Sequence, residues 1–198
     1  MNKNRLEAFT DGVYAIIITI MVLELKIPHN PTFESYIEMW PVFISYAVSF
    51  LFVGLNWASH HHLFQTVSKV DNKVLWINML NLFILSLVPF ATATMGENSF
   101  KAVTVTIYAS LLTTSIIVYL IFVNQLCKIH GNGSSFSIKY KGHKKTYISL
   151  GLNLIAIIIS VIGFPKIAFT LLFITSLAWF IPNHIFNIED HKKNNIIQ

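Results

Sequence analysis

Apolar residues fall into six successive runs, approximately 6–27, 37–60, 74–96, 102–126, 146–164 and 167–187, with short polar breaks between them. Each is close to the roughly 20 residues that an α-helix needs to cross the hydrocarbon of a bilayer. The third run carries no charge between Lys73 and Glu97, and the fourth none between Lys101 and Lys128. Gly163, Phe164, Pro165 and Lys166 are all that separates the last two, which predicts a tight hairpin. The pattern predicts an all-α integral membrane protein, a single domain of six transmembrane helices over 1–198.

Basic residues orient the bundle through the positive-inside rule. With six spans, the N-terminus, the loops after the second and fourth runs, and the C-terminus share one side. That side holds Lys3, Arg5, Lys69, Lys73, Lys128, Lys139, Lys141, Lys144, Lys145, Lys192 and Lys193, against Lys26, Lys101 and Lys166 on the other. Eleven against three predicts both termini in the cytoplasm.

Composition narrows the function. Hydrophobic residues make up 54% of the 198 and charged residues 12%, about half the charge of an ordinary soluble domain. So little chain lies outside the spans that function must reside in the helices or their short loops. Cys127 stands alone, which excludes an intrachain disulfide and a cysteine metal cluster. The net charge of +5 comes from lysines scattered between apolar runs, which suits anionic lipid and not nucleic acid. The first run lacks a small-residue cleavage site and carries Asp11 and Glu24, so it is not expected to be a removable signal peptide. Lys128 to Lys145, with Gly131, Asn132, Gly133, Ser134 and Ser135 at its centre, reads as a flexible cytoplasmic loop.

The first run carries the least expected chemistry. The chain's single arginine, Arg5, opens the pattern RxxxFxD with Phe9 and Asp11 at the mouth of a membrane helix. Only twelve uncharged residues separate Asp11 from Glu24, too few to cross about 30 Å at 1.5 Å each. One or both acids must therefore meet protein or water, which makes this helix the candidate to line an interior pathway. Phe9, Ile16, Ile20, Leu23 and Ile27 fall on one helical stripe, with Gly12 and Val13 in its gap and Thr19 beside it. Copies of this helix around an axis would stack aliphatic rings with a threonine layer among them, and a narrow apolar ring gates by dewetting. Plain packing would use the same stripe, and periodicity does not separate the two.

Arg5 and Asp11 point about 120° apart on the helix, so the partner of Asp11 is expected from elsewhere. The second run ends in Trp57, His60, His61, His62 and Phe64, at the same depth as Asp11. A histidine there is expected to bond Asp11 and hold the first helix in place, titrating near neutral pH. Three consecutive histidines point about 100° apart and do not converge on one ion, so no metal site is expected. Asn78, Asn81 and Ser86 suit contacts between helices, and Pro89 should kink the third run.

Together these residues resemble the prokaryotic branch of the transmembrane protein 175 family, potassium channels whose eukaryotic member serves endosomes and lysosomes. The resemblance rests on RxxxFxD at Arg5, Phe9 and Asp11, on WxxHHxLF at Trp57, His60, His61, Leu63 and Phe64, and on PFxT at Pro89, Phe90 and Thr92. It covers the first three runs; the last three match by hydropathy alone. Thr10 stands where the family usually has serine, and both carry a hydroxyl. The resemblance implies a homotetramer whose first helices line a central pore without a TVGYG filter. It implies the narrowest ring at Ile16, further aliphatic rings at Ile20 and Leu23, and a hydroxyl layer at Thr19. The permeant ion it implies is K⁺, with no cofactor and no resident metal.

Aliphatic side chains offer no oxygen to replace water around K⁺, so such a pore should prefer K⁺ over Na⁺ only modestly. The main rival is a secondary transporter using Asp11, Glu24 and the histidines as a relay, although no inverted repeat or broken midplane helix supports it. A membrane enzyme lacks a nucleophile with its base. An accessory subunit that only packs against a partner is the remaining alternative.

Overall fold

The structure, a computed structural model, describes residues 2–131, 133–140 and 144–179. Among them all regular structure is helical: α1 (Lys3–Leu23), α2 (Phe33–Glu38), α3 (Trp40–Thr66), α4 (Asn72–Ser86), α5 (Val88–Glu97), α6 (Ala102–His130), α7 (Ser135–Tyr140), α8 (Lys144–Val161) and α9 (Pro165–Ala178). Lys3–Leu23, Trp40–Thr66, Asn72–Glu97, Ala102–His130 and Ser135–Val161 are long and apolar enough to span a membrane. The 14 residues of α9 rise about 21 Å. The expected continuation over 180–187, and the topology-setting Lys141, Lys192 and Lys193, lie outside the described residues.

Local chemistry sets the boundaries. The Asp71 side chain accepts a hydrogen bond from the Val74 amide at 2.7 Å, capping α4, and one from Gln125 Nε2 at 3.0 Å, tying that cap to α6. Pro89 has no amide hydrogen, and its ring would strike the carbonyl four residues earlier. The third span accordingly breaks at Leu87 and restarts as α5 with the proline in its first turn. A capping box between Thr32 and Ser35 forms α2, a short helix that precedes α3 and that the apolar runs did not predict.

The flexible loop expected over Lys128 to Lys145 is partly ordered. α6 continues to His130, and α7 folds back against it, with Phe136 buried and stacked on His130 at 4.8 Å. The Ser134 hydroxyl accepts from the Ser137 amide at 3.1 Å and starts α7, while the Tyr140 hydroxyl donates to the His62 carbonyl at 3.0 Å. Serines and glycines that read as linker thus begin a helical turn held by aromatic contacts.

α6 packs against α4, α5, α8 and α9, and α1 packs against α3, α4 and α5. Polarity runs inside out in α8. Its buried residues are Lys145, Thr146, Ser149, Asn153, Ala156 and Ser160, while Ile148, Ile155, Ile158 and Val161 are exposed. A soluble helix would bury the isoleucines; a helix in lipid gains nothing by doing so and turns small and hydroxyl residues toward its neighbours. Ser160 accepts from Thr106 Oγ1 at 2.9 Å and donates to the Ala102 carbonyl at 3.0 Å, joining α8 to α6. The same logic links α3, α5 and α6 through Thr92, Ser49 and Tyr108, with hydroxyl distances of 2.7 and 2.9 Å.

α3 and α5 approach closely at Gly96, where a Cβ would lie 2.8 Å from Val42 Cα, a backbone atom. Gly96→Ala is expected to force these helices apart and cost about 1–3 kcal/mol. Thermal unfolding of the purified protein should show a lowered midpoint, with Gly54→Ala, which meets nothing within 4 Å, as the control.

Candidate functional site

α1 has two unlike faces. Leu6, Thr10, Tyr14, Ile17 and Met21, spaced by three or four, are buried against the rest of the subunit. On the opposite side Phe9, Ile16, Ile20 and Leu23 are uncovered, the last three by 57%, 42% and 75% of their surface, and Ile27 continues the line beyond the helix. From Ile16 to Leu23 the stripe climbs about 10 Å. Thr19 shares this face; its hydroxyl donates to the Ala15 carbonyl at 3.0 Å and the Ile16 carbonyl at 2.9 Å, which leaves oxygen lone pairs outward. Packing within the subunit therefore does not account for the aliphatic stripe. It does account for the residues one position over.

The buried face is gripped at one end by polar contacts. Asp11 Oδ1 accepts from Trp57 Nε1 at 3.0 Å, and Glu7 lies 3.8 Å from His61 Nδ1. Glu7 and Asp11 are four apart on α1, Trp57 and His61 four apart on α3, and the two pairs meet in antiparallel register. Trp57 and His61 also stack, with ring centres 5.7 Å apart. On the neighbouring side Thr10 Oγ1 accepts from Asn78 Nδ2 of α4 at 2.8 Å, in a fully buried setting.

The expected histidine partner of Asp11 is corrected here: the partner is Trp57. One residue of rotation explains why His60 does not reach Asp11. His60 points into the bundle, 3% exposed, stacked on Phe64 at 4.3 Å and Phe122 at 5.9 Å, with the Tyr14 ring 6.3 Å away. Among the described residues its nitrogens lie in no hydrogen bond of ordinary geometry, and neither do the side-chain oxygens of Asn78 and Asn81. His61 faces α1, and His62 is exposed. The three histidines thus diverge, and among the described residues no group of His, Cys, Asp or Glu could hold a metal.

Arg5 is exposed and has no ion-pair partner among the described residues. Of the PFxT residues, Pro89 restarts the helix, Thr92 bonds Ser49, and Phe90 is exposed. At the far end of α1, Lys26 forms an ion pair with Glu97 at the end of α5. The Glu7–His61 and Ser49–Tyr108 contacts were missed in the sequence, although the matching four-residue spacings of Glu7 with Asp11 and Trp57 with His61 were a usable signal.

The chain is 42% identical over 195 residues to a potassium channel of Chryseobacterium sp. strain P1-3, across 98% of this chain and 100% of that one. A family model described as the endosomal/lysosomal potassium channel TMEM175 matches residues 5–89. This chain belongs to the TMEM175 family. The model match begins at Arg5 and ends at Pro89, so it spans the helices whose contacts fix α1. The likeness does not stop at the third span, as the motifs alone implied, because the Chryseobacterium relative aligns through the last three helices as well.

A solved structure of the lysosomal potassium-selective channel TMEM175 homolog from Chamaesiphon minutus superposes with a TM-score of 0.76 at 26% identity, covering 89% of this chain and 95% of that one. The human endosomal/lysosomal proton channel TMEM175 is 34% identical over 103 residues, 46% of this chain and 20% of that much longer protein. The multi-pass helical membrane architecture is thus the TMEM175 channel architecture.

The site makes a specific demand of Thr10. Thr10→Ser keeps the acceptor for Asn78 and should leave stability nearly unchanged. Thr10→Val keeps the shape but leaves a buried amide donor unpaired, at a cost of about 1–3 kcal/mol. Thermal unfolding of the two variants side by side, with Asn78→Leu combined with Thr10→Val expected to recover much of the loss, checks this.

Proposed function

We propose that this TMEM175-family protein is a potassium channel whose ion pathway is formed by the uncovered face of α1 from several copies around an axis. The observation that carries the proposal is the exposure of Ile16, Ile20 and Leu23 on a helix whose other face is held in place by Trp57 and Asn78. Relatives named as potassium channels support K⁺ as the permeant ion. Four copies are the count we adopt, following the family resemblance, with the plasma membrane as their site and both termini in the cytoplasm. A groove between α1 and the α4–α5 break, lined by Ile16 and Ile20 as well as Val13, Ile17, Ser86 and Phe90, gives a neighbouring copy a surface to pack on along the edge of the same stripe.

In this arrangement Ile16 forms the narrowest ring, with Ile20 and Leu23 forming successive aliphatic rings and Thr19 a hydroxyl layer between them. Water enters such a ring reluctantly, so it closes by dewetting when narrow and conducts hydrated ions when widened. The aliphatic wall cannot replace an ion's water. An ion that gives up part of its shell cheaply therefore passes more readily, which favours K⁺ over Na⁺ by a limited factor. Thr19 oxygens offer the stripe's side-chain polar contact. The motif residues act one step removed: Asp11 with Trp57, Glu7 with His61, and Thr10 with Asn78 fix the rotation of α1 and so aim Ile16 at the axis. Arg5 and Phe9 form the cytoplasmic mouth.

The relay of the rival transporter reading is not favoured, since Asp11 bonds an indole and His60 is enclosed by aromatic rings. Nothing in this scheme calls for an enzyme's chemistry, a cofactor or a resident metal.

K⁺ and Na⁺ flux into liposomes containing only the purified protein tests the assignment. Wild type should conduct K⁺ in preference to Na⁺, and Ile16→Asn, which replaces an apolar ring by amides, should raise the flux and bring the two ions toward parity. Unchanged flux and preference in Ile16→Asn would sink the assignment of the pathway to this ring.

A further inference from the structure

A cavity unrelated to the α1 stripe lies between α3, α6, α8 and α9. Phe52, Leu55, Leu112 and Ile116 supply apolar walls, and Trp179 closes one side, its indole donating to Ser149 Oγ at 3.0 Å. The space open to the centres of water-sized atoms is about 50 Å³, against roughly 10–15 Å³ for one water. It therefore holds several atoms of an occupant.

Its polar groups are under-used. Asn153 is 3% exposed and lines the cavity, yet its carboxamide makes no hydrogen bond to the described residues. The neighbouring polar residues of the same buried face are satisfied: Ser149 accepts from Trp179, and Ser160 bonds Thr106 and Ala102. Asn56 donates to the Phe52 carbonyl at 2.9 Å, but its side-chain oxygen has no described donor. An amide beside this space without a described protein partner gains a hydrogen bond from an occupant with a matching group. Among the described residues no carboxylate lines the space, so they offer a cation no counter-charge.

We propose that this cavity binds a small uncharged amphiphile, one hydroxyl head on a short hydrocarbon body, with Asn153 hydrogen-bonding the head and Phe52, Leu112 and Ile116 holding the chain. The site bridges α3, which carries Trp57 and the histidines, to α8 and α9. It stands on the cavity and on Asn153, independently of the ion pathway.

Photolabelling tests it, using the full chain in phosphatidylcholine nanodiscs and a diazirine-bearing octanol as the probe, with adducts mapped by mass spectrometry. The proposal expects saturable adducts on cavity residues, competed by 1-octanol more strongly than by octane, which has the chain and lacks the head. Asn153→Leu should weaken the 1-octanol competition by about fivefold, the loss of roughly one hydrogen bond, and Ile116→Trp should fill the space and abolish the adducts. Equal competition by octane and 1-octanol in wild type overturns the proposal even where a variant fails to fold. So do unsaturable adducts spread over exposed Ile155, Ile158 and Ile162 with the same yield in every variant. A disulfide forming readily between Asn153→Cys and a cysteine placed in 180–187 would give the cavity to the chain's own following segment, and would likewise overturn it.

Discussion

Two adjacent residues of α1 are held from two directions, Asp11 by the Trp57 indole of α3 and Thr10 by the Asn78 amide of α4, and the exposed face of the helix follows from that grip. A helix fixed at one point can still rotate; fixed on neighbouring residues by two different helices, it cannot without breaking a buried bond. Side chains seven residues apart share nearly the same direction, so fixing Thr10 as inward leaves Phe9, Ile16 and Leu23 outward together. Rotation by one residue, about 100°, would bury Ile16 and expose Ile17 or Tyr14. The polar end of α1 is thus what makes an aliphatic stripe higher up the helix available for a pathway.

Polar contacts can do this because hydrocarbon offers no water to compete for them. Helices in lipid gain little by burying leucine or isoleucine, and small, hydroxyl and amide side chains pass to the interfaces instead. α8 shows the inversion most clearly, with Ser149, Asn153 and Ser160 inside and Ile148, Ile155 and Ile158 outside. The hydroxyl chain of Tyr108, Ser49 and Thr92 does for α3, α5 and α6 what Thr10 and Asn78 do for α1 and α4. Each such bond is worth only about 1 kcal/mol, so the bundle depends on many of them together with close approaches such as Gly96 against Val42.

Much of this was legible in the sequence and some was not, for identifiable reasons. Membrane spans announce themselves by uninterrupted apolar length, and Pro89 announced the break at Leu87 through its missing amide hydrogen. Hydropathy counts apolar residues without saying which way they face, so the inward polar face of α8 was invisible to it. α2 and α7, six residues each, are shorter than any periodicity can reveal. At the candidate site the depth of the Asp11 partner was right and its identity wrong. Adjacent residues on a helix differ by about 100°, and nothing in the run from Trp57 to His62 says which of them faces α1. Tertiary packing decided that His60 turns to Phe64 and Phe122 while Trp57 and His61 turn to α1. The stripe on α1 was readable as a stripe, whereas its exposure, which excludes a core face, required the fold.

The central claim is that ions pass along the uncovered face of α1. Thiol modification tests it most directly: Thr19→Cys in a background with Cys127, the chain's only cysteine, replaced by serine, reconstituted in liposomes and followed by K⁺ flux. A thiol-reactive cation added to the bath should stop the flux, while the same reagent should leave the flux of an Ile158→Cys control on the outer face of α8 unchanged. Complete modification of Thr19→Cys, verified by mass, with K⁺ flux continuing as before would contradict the account.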